Sequence, residues 1–190
     1  MGNLIKNYKN EMACQSITGI TRLCGTSVVP GTEKLWMVAF KDLYEISGTD
    51  VFTLGASSSL VNAIGLTGSI KYVEIATLRD STGFDSEGTM DPTKGVNFVT
   101  NTLTLKLADL TVENRAFVEN TMAQPVSALL KLRTGRYYVL GLGGQLEMTG
   151  LQATSGKSSG DEVSYTITFN EIAGLTPYQV DPTVITSIIE

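Results

Sequence analysis

In Thr102-Leu103-Thr104-Leu105-Lys106-Leu107 every second residue is a leucine, and in Ser164-Tyr165-Thr166-Ile167-Thr168-Phe169 the apolar residues alternate in the same way. Successive side chains of a β-strand point to opposite faces, so a strict period of two gives one apolar and one wet face. That is the pattern of an antiparallel strand covering a core on one side. Leu35 to Phe40, Ile70 to Leu78, Val126 to Leu132 and Arg136 to Leu140 are less regular runs of strand-forming residues. Arg133-Thr134-Gly135 fits a short hairpin connection between the last two, with Gly135 free to take positive φ. The expected fold is mainly β, an antiparallel sandwich or barrel.

One segment departs from this period. From Thr111 to Ala123 the apolar residues Val112, Phe117, Val118 and Met122 recur near helical spacing, Thr111 can cap, and Pro125 follows the end. This is expected to be the one helix, burying Phe117, Val118 and Met122 against the β body. Between Arg79 and Gly95, "RDSTGFDSEGTMDPTKG" reads as a long polar loop. Asp85, Glu87 and Asp91 loosely resemble a calcium loop, but the glycine and terminal glutamate of an EF-hand are out of place, so no metal is expected. A long loop on a compact β domain more often makes a protein contact, and Asp80, Phe84, Asp85, Glu87, Met90 and Asp91 are its candidate contact residues.

The chain is read as a single domain over residues 1–190, with an N-terminal arm over about 1–12 and a C-terminal tail over about 177–190. The tail is apolar and β-branched, follows Pro177 and contains Pro182. Two alternatives stand for it. Val184, Ile185, Ile188 and Ile189 form an arm that pairs with a neighbouring subunit, or the tail completes the chain's own sheet.

Tyr138 to Gly150, "YVLGLGGQLEMTG", has its glycines as close together as those of a phosphate cradle. Such a cradle needs a helix after the glycines, whereas Gln-Leu-Glu-Met-Thr alternates like a strand. In "GLQATSGKS" five residues separate Gly150 from Gly156 where a P-loop needs four. Strand, turn, strand is expected here, without a nucleotide or other cofactor.

The 190 residues contain no histidine, which removes Ser-His-Asp and Cys-His catalysis and histidine metal sites together. A net charge of -5 argues against a surface that grips nucleic acid. No stretch is long and apolar enough for a membrane span or a signal-peptide core, so cytoplasmic synthesis without a membrane partner is expected. Cys14 and Cys24, without a CxxC spacing, are read as small apolar residues in a reducing compartment.

The order of motifs carries a resemblance. A helix leads into "PVSALLKLRTGRYYVLGLGGQLEMTGLQATSGKSSGDEVSYTITFNEIAGLTPYQV", and upstream "ACQSITGITRLCGTSVVPGTEKLWMVAF" sets two cysteines around "TGI" before a first long strand. This resembles the tail tube (major tail) proteins of long-tailed bacteriophages, of the kind found in phages of Bacteroidetes, over about three quarters of the chain. The resemblance implies a non-enzymatic virion protein. Copies would close into a hexameric ring, and rings would stack into a tube within the phage tail, assembled in the host cytoplasm. Its partners would be itself, other tail proteins, and DNA passing through the lumen without specific binding. A head-tail connector or ring, or an injection-system tube subunit, is the alternative within the same class. A monomeric adhesin-type module presenting Tyr137, Tyr138 and Tyr165 is another. A carboxylate-dependent hydrolase using two of Asp85, Glu87, Asp91, Asp161 and Glu162 is the alternative furthest from it.

Overall fold

The computed structural model describes residues 29–46, 48, 50–55 and 60–190. The expectations for the arm over about 1–12 and for Cys14 and Cys24 lie outside the described residues. Along the chain come β1 (Thr32–Ala39), a 3-10 turn (Phe40–Asp42), β2 (Phe52–Leu54), β3 (Val61–Ile64), β4 (Val73–Glu74), β5 (Gly83–Asp91), β6 (Val96–Ala108), α1 (Val112–Ala123), β7 (Val126–Leu132), β8 (Tyr137–Leu140), β9 (Glu147–Thr154), β10 (Ser164–Ala173), β11 (Tyr178–Val180) and α2 (Pro182–Ile188). They form a seven-stranded sheet in the order β2-β3-β11-β8-β7-β1-β4 and a four-stranded sheet in the order β5-β6-β10-β9. The fold is mainly β and mostly antiparallel, as expected, with β11 and β3 running parallel.

The alternating runs lie where their period places them. β6 and β10 pair antiparallel, with Leu105 opposite Ile167 and Leu103 opposite Phe169, all four fully buried. They pack against Leu35, Met37, Val126, Ala128, Leu130 and Leu140 of the larger sheet, forming the core between the sheets. The larger sheet is buried on its other face too. Trp36, Val38, Leu129 and Val139 pack there with Tyr72, Val180, Ile185 and Ile188. A strand covered on both faces has no wet side, which is why β1 and β7 read as continuous apolar runs.

Several expectations are corrected. The segment from Arg79 to Gly95 is not a loop: Gly83–Asp91 pairs with β6 along its whole length, from Gly83 opposite Thr104 to Asp91 opposite Val96. Excising it would remove a strand. The run Ile70 to Leu78 contributes only Val73–Glu74 to a sheet. Its amides bond in turn to α2 (Tyr72 to the Ile188 carbonyl), β1 (Ile75 to Leu35) and β6 (Leu78 to Lys106), so the segment carries the chain from one sheet to the other.

Helix α1 begins as expected, with the Thr111 hydroxyl accepting the Asn114 amide, but Met122 is exposed. Phe117, Val118 and Thr121 form the packed face, and Met122 falls on its margin at 100° per residue. Thr121 tolerates burial because its hydroxyl donates to the Phe117 and Val118 carbonyls. Nor is α1 the one helix. Pro182 starts α2, with the Asp181 carboxylate accepting the Thr183 amide as its cap. Of the two alternatives for the tail, the structure shows the second. β11 lies between β3 and β8, and Ile185 and Ile188 of α2 are buried in the chain's own core. Val184 and Ile189 pack partly against that core.

Candidate functional site

The glycine-rich stretch does run strand, turn, strand, but the two strands belong to different sheets. β8 pairs in the larger sheet, the chain turns through residues 141–144, and β9 pairs with β10 in the smaller one. Two of the glycines are required by close approach. A Cβ at Gly141, where φ is +80°, would lie 2.6 Å from the Val126 carbonyl oxygen, and one at Gly144 would lie 2.5 Å from the Ile172 carbonyl oxygen. The turn is thereby pressed against the end of β10, where Glu171 lies.

Glu171 is the carboxylate at the centre of this region. Its Oε1 accepts the Gly144 amide at 3.0 Å, and its Oε2 accepts Nδ2 of Asn101 at 3.4 Å. Asn101 is its register partner on β6, also donates to the Leu175 carbonyl, and accepts the Ser86 hydroxyl from β5 at 2.7 Å. A chain of hydrogen bonds therefore ties β5, β6, β10 and the glycine turn together. Such a turn gathers amides as a phosphate site would, but here Gly144 directs its amide at the protein's own carboxylate.

Glu171 and Asn101 border a cleft of about 880 Å³ between the sheets. Phe40, Asp50, Phe52, Leu142, Leu175 and Tyr178 also line it. The Phe52 and Tyr178 rings lie 4.9 Å apart. Burial pushes the Glu171 carboxyl above its ordinary range, and the Gly141, Gly143 and Gly144 amides and the Asn101 side chain offset this only in part. Burial also raises Tyr178, with the negative charges of Asp50 and Glu171 adding to it.

The sign of the Glu171 shift gives a pH test. Above the ordinary glutamate value of 4.5 the unfolded chain releases a proton that folded Glu171 retains. Stability contributed by Glu171 is therefore complete below 4.5 and is lost as pH rises through its raised value. The melting temperature of the wild type minus that of Glu171→Gln is expected to fall as the pH rises above 4.5. A difference that stays flat would show that Glu171 titrates as it does in the unfolded chain.

The residues singled out from sequence are elsewhere, and they do not converge. Asp80, in a turn at φ +59°, pairs with Arg133 and Arg79. Phe84 packs partly into the core, its ring 5.6 Å from that of Tyr138. Asp85 and Glu87 are exposed on β5 opposite Thr102 and Thr100, and Met90 is exposed opposite Asn97. Asp91 ends β5, where the Thr93 hydroxyl and amide bind its carboxylate and hold it below its usual range. Asp161 accepts the Lys157 and Ser158 amides, Glu162 pairs with Lys106 at 3.1 Å, and both are likewise lowered. Among the described residues no three Cys, Asp or Glu side chains form a group able to hold a metal ion. No described helix is long and apolar enough to cross a membrane.

Sequence reasoning missed Glu171, Asn101, Ser86 and Asp50. For the first two a signal was present: Glu171 continues the buried phase of Tyr165, Ile167 and Phe169, and Asn101 that of Leu103, Leu105 and Leu107. A polar residue in phase with an apolar face marks a polar layer in the core. Compared with protein-family models, curated proteins and solved structures, the chain finds no match.

Proposed function

We propose that this protein is a structural subunit that assembles with copies of itself into stacked rings, as a bacteriophage tail tube protein does. The observation that carries the reading is the β5 edge of the smaller sheet, which no described strand covers. β5 is nine residues long, contains no proline, pairs on one side only with β6, and is exposed without a break from Asp85 to Met90. An open edge of that length is a template for further strand pairing unless something covers it, and ring closure covers it.

The outer face of the same sheet supports the second half of the reading. Thr100, Thr102 and Thr104 of β6 share that face with Thr166, Thr168, Asn170 and the exposed Ile172 of β10, bordered by Asp85 and Glu87 of β5. Lys106 lies on it but is paired with Glu162. A largely uncharged, threonine-rich surface with an acidic border suits a passage for DNA that does not grip it, because grip comes from lysine and arginine displacing phosphate counterions. Other tail proteins would meet the ends of the tube.

Negative-stain electron microscopy combined with size-exclusion chromatography across a concentration series tests this. Rings or hollow tubes of uniform width are expected, with no retention of DNA. A strict monomer at every concentration would overturn the reading.

A further inference from the structure

The lining of the cleft is unbalanced in charge. Among the described residues it contains the carboxylates of Asp50 and Glu171 and no lysine or arginine. Glu171 is 3% exposed and is held by neutral donors only. Most of the described cations are already paired with carboxylates outside the cleft: Lys34 with Glu74, Arg79 and Arg133 with Asp80, Lys94 with Asp91, Lys106 with Glu162, Arg115 with Glu119, and Lys131 with Glu33. Lys41, Lys71, Arg136 and Lys157 are the described cations left outside these pairs, and all four are exposed. The molecule thus carries an anionic recess and a set of free surface cations.

The shape of the recess selects the form of the guest. At about 880 Å³ it is far larger than a bare inorganic cation needs, and it is the size that takes a side chain with its flanking residues. Phe52 and Tyr178, their rings packed 4.9 Å apart, share the lining with the two carboxylates, and a desolvated guanidinium or ammonium gains from an aromatic and a carboxylate neighbour together. A neutral or anionic guest offers Glu171 no more than the neutral donors it already has, whereas a cationic guest adds a counter-ion for both carboxylates.

We infer that this cleft is the socket for a lysine or arginine side chain of a second copy of the chain, supplied by one of Lys41, Lys71, Arg136 and Lys157. The inference rests on the assembly reading above and adds to it the contact that orients one copy on the next. Charge complementarity selects the occupant: the cleft is anionic, and among the described residues the same chain's surface presents four cations outside any ion pair. Lys157 is the best placed of these, because it stands on the 155–163 connection between β9 and β10, exposed at every position except Gly156.

Reversing the charge at Asp50 tests the socket, since Asp50 is exposed and its substitution leaves the Glu171 network intact. Asp50→Lys is expected to melt like the wild type and to raise the concentration needed for assembly at least tenfold, with Asp50→Asn intermediate. Changing the seated cation to glutamate in the Asp50→Lys background, tried in turn at Lys41, Lys71, Arg136 and Lys157, is expected to restore assembly at one position. If Asp50→Lys assembles at the wild-type concentration, or if none of the four reversals restores it, the socket is overturned while the assembly reading stands. A wild type that stays monomeric overturns the assembly reading and the second copy as occupant. The chemistry of the cleft is then read on the monomer by NMR titration with Nα-acetyl-arginine methylamide against its glutamine counterpart. Selective shifts at Asp50, Phe52 and Tyr178 with the arginine compound support a cation socket, and equal response to both compounds overturns that as well.

Discussion

Leu105→Asp is expected to abolish the folded state. Leu105 is fully buried at the middle of β6, opposite fully buried Ile167, with the larger sheet packed over both. Truncating a buried leucine costs about 2–5 kcal/mol on its own. Enclosing an unpaired carboxylate adds several kcal/mol more, even after the group raises its pKa to shed the charge. A domain of ordinary stability has only about 5–15 kcal/mol in total. The variant should lose its near-ultraviolet circular dichroism and its cooperative melt, and Ile167→Asp should behave alike. Thr104→Asp, one residue away on the opposite face of the same strand, is the control and should change stability by about 0.5 kcal/mol or less. If Leu105→Asp melted normally, the assignment of inner and outer faces in the smaller sheet would be wrong.

What the sequence made legible follows from how local each signal is. The period of two in β6 and β10 was readable because each strand has one wet face and one buried face, so burial left its imprint on neighbouring residues. β5 left no such imprint. Its sequence, GFDSEGTMD, holds glycine, aspartate, serine and glutamate, residues that favour turns, and it is a strand because β6 offers it a full-length partner. That is a tertiary fact with no local trace. Asp181-Pro182 carried the opposite lesson. Proline in an apolar run reads as a breaker, yet after an aspartate able to cap it is a helix start, and the β-branched residues that follow hid the helix. The cleft was legible in part. Glu171 and Asn101 could have been found by their phase, whereas their meeting with each other and with the glycine turn depends on strand register and on the crossing from β8 to β9.

Removing residues 181–190 is expected to destabilise the folded chain severely, and the result separates an integral tail from an intersubunit arm. Ile185 and Ile188 are each 4% exposed and cover Tyr72, Val61 and Val180 on the outer face of the larger sheet. Burying an isoleucine contributes about 1.5–3 kcal/mol, so the two together account for about 3–6 kcal/mol. Backbone bonds go with them: Tyr72 donates to the Ile188 carbonyl at 2.8 Å and accepts the Glu190 amide at 3.1 Å. Tyr72 itself is fully buried, its hydroxyl bonded to Ser127 at 2.8 Å, and Ser127 donates onward to the Leu140 carbonyl. Opening this face to water would disturb that network as well, because a buried polar chain loses its geometry when its cover is removed. For a domain of this size a loss of about 5 kcal/mol lowers the melting temperature by roughly 10–20 °C. Ile185→Asp in the full-length chain should produce a comparable fall, while Thr186→Asp, on the exposed side of α2, should not. An arm serving only a neighbouring subunit would give the reverse pattern, a truncated chain that melts with the full-length protein and fails only to assemble.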